Sequence, residues 1–141
     1  MPESSLPVAH LFTLRASLGA PDVIENGPQG SRVIVPVTGG SFEGERLSGE
    51  VLLPAGDWFT SRPDGSGKLD VRLTLKTNDG AAILMSYTGV LRNDGNVRYL
   101  RAAPLFETGD ERYSWLNSIQ AVSVGFDPEP GVIRYEIYEL L

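Results

Sequence analysis

The chain has 141 residues, 41% of them hydrophobic, which predicts one domain that buries about 68% of the surface of its unfolded chain. Its 12 basic and 18 acidic residues are interspersed and give a net charge of −6, which repels a nucleic acid or an anionic membrane surface, so we expect neither as a partner. Cysteine is absent, which excludes disulfides, thiolate metal sites and thiol nucleophiles.

The opening segment MPESSLPVAH has no basic region and no long apolar core. No later stretch approaches the ~20 consecutive apolar residues that a membrane-spanning helix needs. We therefore expect a cytoplasmic protein.

Short segments with period-two alternation follow one another along the chain and are separated by Gly and Pro, a pattern typical of an all-β domain. No window keeps the apolar spacing of an amphipathic helix for three turns, and only 112–117 (RYSWLN) suggests a brief helical turn. In chain order, the predicted strands are 9–16, 32–38, 46–53, 68–76, 81–90, 96–103, 119–126 and 132–140.

The segment TNDGA, residues 77–81, allows two hairpin registers. A two-residue loop at Asp79-Gly80 would set Arg72 and Thr74 on the same side as Met85 and Tyr87. A three-residue loop, 78–80, keeps each face more uniform, so we predict this register. It places Val71, Leu73 and Leu75 beside Ile83, Met85 and Tyr87 on one face, and Asp70, Arg72 and Thr74 beside Ser86 and Thr88 on the other.

Eight or more antiparallel strands in hairpin order, with strand-like segments at both ends of the chain, predict a sheet that closes on itself. Closure is favoured because a barrel removes exposed strand edges. The predicted fold is all-β, a single antiparallel closed β-barrel of about eight to ten strands spanning residues 1–141.

Three stretches carry a family resemblance: PVTGGSFEGERLSGEVLLPAGDW, DGSGKLDVRLTLKTNDGAAI and APLFETGDERYSWLNSIQAVSVG. In order and spacing they resemble domain-of-unknown-function family 3237, from about Leu11 to Tyr138. The resemblance implies a barrel like those of allene oxide cyclases and dirigent proteins, which guide cyclisation or coupling of small apolar molecules without a cofactor. The predicted barrel is therefore lipocalin-like or allene-oxide-cyclase-like.

The inventory of reactive side chains limits the chemistry. His10 is the only imidazole and lies on the first predicted strand, where a structural role is more usual, so a Ser-His-Asp hydrolase is not expected. A zinc site lacks His and Cys ligands. The segment GSGK at 65–68 and the Gly cluster at 39–49 lack the spacing of nucleotide-binding loops. We expect no cofactor and no metal.

The pair Asp57-Trp58 follows the break Pro-Ala-Gly in LLPAGDWFT, so it is predicted to lie at a barrel rim. Under one interpretation Asp57 caps a turn and Trp58 belongs to the core. Under the other, Trp58 forms an apolar wall that raises the pKa of the Asp57 carboxyl and makes it a proton carrier.

Asp70 and Arg72 stand two residues apart on one strand face. They form either a solvated ion pair or, if that face is turned into the barrel, an oxyanion-binding Arg72 oriented by Asp70. Thr74 and Ser86 would then add hydrogen bonds to the ligand. Tyr87, on the opposite face of the hairpin, is a further predicted ligand-binding residue. Apolar burial alone places Val71, Leu73 and Leu75 inside, whereas only membership of the family motif favours the polar face.

The segment PLFETGDERYSWLN supplies an aromatic plug or lid from Phe106, Tyr113 and Trp115. Glu107 needs a partner if it is buried, and Arg101 is the candidate. We predict a cavity for one small ligand at the barrel end where Trp58 and Trp115 lie.

Two functions remain open. One is a cofactor-independent isomerase, cyclase or hydratase that acts on a small apolar carbonyl or phenolic compound, with Asp57 as proton carrier and Arg72 as oxyanion partner. The other is a small-ligand-binding barrel without turnover. The expected partner is a small apolar ligand, with no nucleic acid and no membrane, and a homodimer or higher homo-oligomer is left open.

Overall fold

Ten β-strands and one 3₁₀ helix make up the fold in the computed structural model, which describes residues 4–141. The helix spans Glu111–Ser118, the region where the sequence suggested a helical turn. The strands are β1 Val8–Leu18, β2 Asp22–Gly27, β3 Gly30–Glu43, β4 Ser48–Ser61, β5 Gly67–Thr77, β6 Ala82–Asp94, β7 Val97–Ala102, β8 Leu105–Glu107, β9 Ala121–Glu129 and β10 Val132–Leu140.

Eight of the strands form a closed antiparallel ring in the order β1-β10-β9-β7-β6-β5-β4-β3, and β3 pairs back onto β1. The closing pairs include Leu14 with Phe42 and Ala16 with Gly40. The strand β2 pairs with the first part of β3, and β8 pairs with β6. The predicted closed barrel is therefore confirmed. Within the described residues, no helix is long and apolar enough to span a membrane.

The β5–β6 hairpin has the predicted register. Val71 pairs with Tyr87, Leu73 with Met85 and Leu75 with Ile83. The loop is closed by Gly80 at φ 93°, a left-handed conformation that side chains disfavour. Val71, Leu73 and Leu75 are buried, so the apolar face of β5 points into the barrel.

Aromatic side chains fill one end of the barrel. The Phe12 ring lies 5.3 Å from that of Phe42 and 5.9 Å from that of Phe106, measured between centroids. The 3₁₀ helix covers this closed end with the buried Tyr113, whose hydroxyl donates to the Asp79 carboxylate at 2.8 and 3.0 Å. Because Asp79 lies in the β5–β6 loop, this contact ties the helix to the hairpin tip.

The strand boundaries differ from the prediction mainly in β4. The sequence indicated a strand that ends before Pro54, but the strand runs from Ser48 to Ser61, with a register irregularity between Leu52 and Gly56. A bulge accommodates the proline and glycine without ending the strand. The short strands β2 and β8 were not predicted, because neither segment shows sustained alternation.

Replacing the same residue type inside and outside the ring checks the observed register. Ile83→Ala removes a side chain that is 0% exposed, so we expect the free energy of unfolding to fall by about 2–5 kcal/mol. Ile24→Ala on β2 removes one that is 56% exposed and should cost less than about 1 kcal/mol. Urea denaturation followed by circular dichroism measures both, and similar losses would contradict the inward placement of Ile83.

Candidate functional site

A cavity of about 250 Å³ opens at the barrel end opposite the 3₁₀ helix. Sixteen residues line it, and twelve of them are apolar. The four polar residues are Asp57, Tyr87, Arg98 and Tyr135. Much of the apolar wall comes from alternate residues of two strands: Val33, Val35 and Val37 of β3, and Leu69, Val71 and Leu73 of β5.

Asp57 is the one carboxyl in this lining. It lies within β4, where it pairs with Val35 on one side and Val71 on the other. Its Oδ1 accepts a hydrogen bond from the backbone N–H of Asp70 at 2.9 Å. Among residues 4–141 it forms no ion pair.

The environment of Asp57 favours the protonated carboxyl. Burial raises its pKa from 3.8 to about 6, the Asp70 amide lowers it in part, and the negative charge of the Asp70 side chain adds to the rise. A carboxyl with a pKa near neutrality can exchange a proton with a ligand in either direction. The pKa of Asp57 is therefore raised, as the proton-carrier interpretation requires, but by burial in the lumen.

Two buried tyrosines face the same cavity. The Tyr87 and Tyr135 rings pack edge to face, with 5.4 Å between centroids and an interplanar angle of 68°. Burial raises the pKa of each phenol above its usual value of 10, and the Asp57 charge adds to both shifts. Both hydroxyls therefore stay protonated at neutral pH. The Tyr87 hydroxyl donates to that of Tyr135, which leaves the Tyr135 proton available to a ligand.

Gly125 makes room for the Tyr135 ring. The two residues pair across β9 and β10, and a Cβ built at Gly125 would lie 2.4 Å from the Leu100 side chain and 2.9 Å from the Tyr135 ring. These distances are shorter than carbon atoms tolerate. The position of Tyr135 in the cavity thus depends on a missing side chain on the neighbouring strand.

Arg98 lies at the mouth of the cavity. Its Nη1 is 3.0 Å from Oδ1 of Asp127, which belongs to the β9–β10 hairpin. Both side chains are partly exposed, so the ion pair adds little stability. The mouth of the apolar cavity therefore carries an ion pair whose two charges offset each other.

Trp58 does not form the wall that the sequence predicted for Asp57. Successive residues of a strand point to opposite faces, so Asp57 and Trp58 cannot both face the lumen. Trp58 points outwards and is 48% exposed. The rise in the Asp57 pKa comes from burial in the lumen, and Asp57 lies inside a strand, not after a turn at the rim.

The polar face of β5 lies on the outside of the barrel. Neighbouring residues of a strand point to opposite faces, and Val71 is buried in the lumen. Asp70 and Arg72 therefore point outwards and are exposed, and Thr74 and Ser86 lie on the same outer face. The inward arrangement considered for Asp70 and Arg72 is therefore not formed, and the described residues show no ion pair between them. Of the twelve predicted site residues, only Asp57 and Tyr87 line the cavity.

The other predicted site residues also lie away from the cavity. Phe106 packs in the closed half, and Tyr113 and Trp115 lie at the closed end, where Arg46 stacks on Trp115. Because the cavity opens at the opposite end, its predicted position beside Trp58 and Trp115 is wrong.

Arg101 lies over the Tyr99 ring and Glu107 is exposed, so their expected pair is absent from the ion pairs of the described chain. His10, for which the sequence favoured a structural role, contacts Glu136 at 3.0 Å in an exposed position.

Tyr135 and Arg98 line the cavity but were not among the predicted site residues. In the segment VIRYEIYEL, Tyr135 alternates with Ile133 and Ile137, so a tyrosine on the apolar face was readable. Arg98 alternates with Leu100 in the same way. Tyr135 and Arg98 share a cavity with Asp57 because of the order of the strands in the ring. Local alternation of side chains does not predict that order.

Comparison with known proteins assigns the family. Residues 6–140 match the family described as protein of unknown function, DUF3237. The chain belongs to this family. A UPF0311 protein of Rhodopseudomonas palustris is 34% identical over 128 residues, which cover 79% of this chain and 82% of the relative.

Two further relatives bear on the fold and the site. A β-barrel-like protein from Acinetobacter baumannii AYE has a solved structure that superposes on this DUF3237 member with a TM-score of 0.91, at 27% identity over 99% of both chains. The hydroalkoxylation enzyme phnH of Penicillium herquei is 28% identical over 112 residues, which cover 79% of this chain and 68% of the enzyme.

The raised pKa of Asp57 predicts a pH-dependent gain in stability for Asp57→Asn. The folded state binds this proton more tightly than the unfolded state, so wild-type stability falls as pH rises from about 4 to about 6. The uncharged amide escapes this loss. We expect equal stabilities at pH 4 and a gain of about 1–2 kcal/mol for the variant above pH 7, after allowing for partial exposure.

Urea denaturation at several pH values measures this difference. Asp64→Asn is the matched control with the opposite sign, because hydrogen bonds from the Ser66 hydroxyl and amide lower the pKa of the exposed Asp64 carboxyl. Loss of stability in Asp57→Asn at every pH would instead assign Asp57 a purely structural role.

Proposed function

We propose that this barrel catalyses a cofactor-independent proton-transfer reaction, an isomerisation, cyclisation or addition, on a small apolar carbonyl or phenolic compound. The observation that carries the proposal is the half-buried Asp57 carboxyl, whose pKa is about 6, facing an apolar cavity with two buried phenols. A purely structural acid gains nothing from facing an apolar lumen, because burial penalises its charge.

The size of the cavity limits the ligand. A cavity of roughly 150 Å³ lined by apolar side chains can hold one benzene molecule. At about 250 Å³, this cavity suits a single substituted ring or a compound of similar size. Twelve apolar lining residues favour an apolar body with few polar groups, and the second candidate, a barrel that only binds such a ligand, rests on the same lining.

In the proposed reaction Asp57 carries one proton between two atoms of the ligand. At neutral pH a carboxyl of pKa about 6 is mostly ionised, so its resting form is the base. It accepts the proton of a ligand hydroxyl as that oxygen attacks a conjugated C=C bond, and it returns the proton to the carbon beside the carbonyl. Tyr135 donates a hydrogen bond to the carbonyl oxygen as it gains enolate charge, and Tyr87 supports it by donating to the Tyr135 hydroxyl.

This scheme leaves Asp57 in its starting state after each turnover, so no cofactor or second acid is required. It agrees in class with the relative from Penicillium herquei, whose name describes a hydroalkoxylation, the addition of O–H across a carbon–carbon multiple bond. Arg98, and not the expected Arg72, is the basic side chain of the cavity lining, and it lies at the mouth in an ion pair with Asp127.

An ortho-hydroxyphenyl vinyl ketone, which closes to a chromanone without change of mass, is a suitable test substrate. We expect closure faster than the spontaneous reaction, and kcat/KM that rises through about pH 6 and then levels, because the carboxylate is the active form. In D₂O the product should gain one deuterium beside its carbonyl, detected by mass spectrometry.

Asp57→Asn should lower kcat/KM by on the order of 100-fold while the ligand still binds, as measured by calorimetry. Glu107→Gln, an exposed carboxyl outside the cavity, is the control and should be unaffected. Binding with no acceleration by the wild-type protein, across a series of such ketones and phenols, would favour the non-catalytic barrel.

A further inference from the structure

The outward side of β4, β5, β6 and β8 carries an unusual set of side chains. Outward positions of a water-facing antiparallel sheet are normally polar. Here Trp58, Leu84 and Leu105 are 48%, 41% and 51% exposed. We call the surface formed by Trp58, Arg72, Leu84 and Leu105 the outer patch.

The outer patch is continuous, with two adjoining hollows. One, of about 350 Å³, lies between Trp58, Arg72 and Leu84, and the other, of about 330 Å³, lies between Arg72, Leu84 and Leu105. Both contain Arg72 and Leu84, so the hollows meet there. Exposed apolar surface of this kind, rimmed by polar groups, marks interaction sites.

Charge is sparse on this surface. Asp70 and Arg72 are the only charged residues that line the two hollows, in a chain with 12 basic and 18 acidic residues. Neither forms an ion pair in the part of the chain that the structure describes. Interface cores are similarly depleted of charge and enriched in Trp and Arg.

We propose that the outer patch is the interface between two copies of this chain, related by a two-fold axis level with Val71. This axis lies in the plane of the interface and runs perpendicular to β5. A rotation of 180° about it places the two β5 strands face to face and in opposite directions. Asp70 of each copy then faces Arg72 of the other, because the two residues flank Val71 on the same strand face. One acid and one base symmetric about that level make the surface complementary to itself.

This arrangement favours a second copy over an unrelated partner. A heterologous protein would need its own pair of opposite charges at matching positions, whereas a second copy supplies them by symmetry. The patch lies on the outside of the wall that carries Asp57 on its inside, so the interface leaves the cavity mouth free. Association and the proposed chemistry can therefore fail independently.

Charge exchange tests the reciprocal contact. The full chain is examined by sedimentation equilibrium over about 1 to 100 µM, the range in which a moderate dimer dissociates. We expect a wild-type dimer, and a dissociation constant raised on the order of 100-fold in Arg72→Asp and in Asp70→Arg, because each places like charges opposite each other twice. The double variant Asp70→Arg with Arg72→Asp should return to within about tenfold of wild type.

Lys76→Asp is the matched control, because it makes the same change of charge at an exposed position on β5 that lines neither hollow. It should leave the dimer unchanged. Circular dichroism checks that each variant folds. Dilution of the wild type over the same concentrations should shift the tryptophan emission to longer wavelength, because Trp58 becomes exposed to water. A wild-type monomer at all concentrations, a dimer insensitive to Arg72→Asp, or a double variant that stays monomeric would overturn the proposal.

Discussion

Closure of the ring through β1 and β3 is the constraint on which the rest of the structure depends. Once the ring is closed, each residue of the wall faces either the lumen or the outside, and its neighbours along the strand take the opposite side. Apolar side chains alternate inward on β5, which commits Asp70 and Arg72 to the outside. The same rule, applied to β4, commits Asp57 to the inside.

The inward position of Asp57 sets the electrostatics of the cavity. Its carboxylate accepts one backbone hydrogen bond, from Asp70, and otherwise faces mainly hydrocarbon and the two phenols. A buried charge with few partners is destabilising, so the acid is retained at a cost to the fold. Activity that needs a strained or poorly solvated group commonly carries such a cost. The barrel can bear it because its other half is packed with Phe12, Phe42 and Phe106.

Much of the fold could be predicted from local patterns, since alternation and the left-handed Gly80 determine the β5–β6 register without long-range information. The position of Asp57 could not, because Pro54 and Gly56 indicate a turn in isolation while the bulged strand continues through them. Tyr135 shows a different limit. Its inward orientation follows from alternation, but its contact with Tyr87 joins strands that are distant in sequence and meet only through the ring order. The family motif pointed to Asp70 and Arg72 without showing which side of the wall they occupy.

The strand β2 has a mechanical consequence for the mouth of the barrel. It is hydrogen-bonded to β3 along one edge, and its other edge is unpaired among residues 4–141. The pairing of β1 with β3 ends at Val37, so the ring is not closed by hydrogen bonds beside the mouth. A complete ring of hydrogen bonds resists widening, because every strand is held on both sides. The strand β2 is paired with β3 alone, so it can move without breaking the eight-stranded ring, whereas the first part of β3 is held by its pairing with β4. The wall beside the mouth is therefore held on fewer sides at β2 than anywhere else around the ring. Asp22 and Glu25 place negative charge along that strand and discourage its free edge from pairing with another chain.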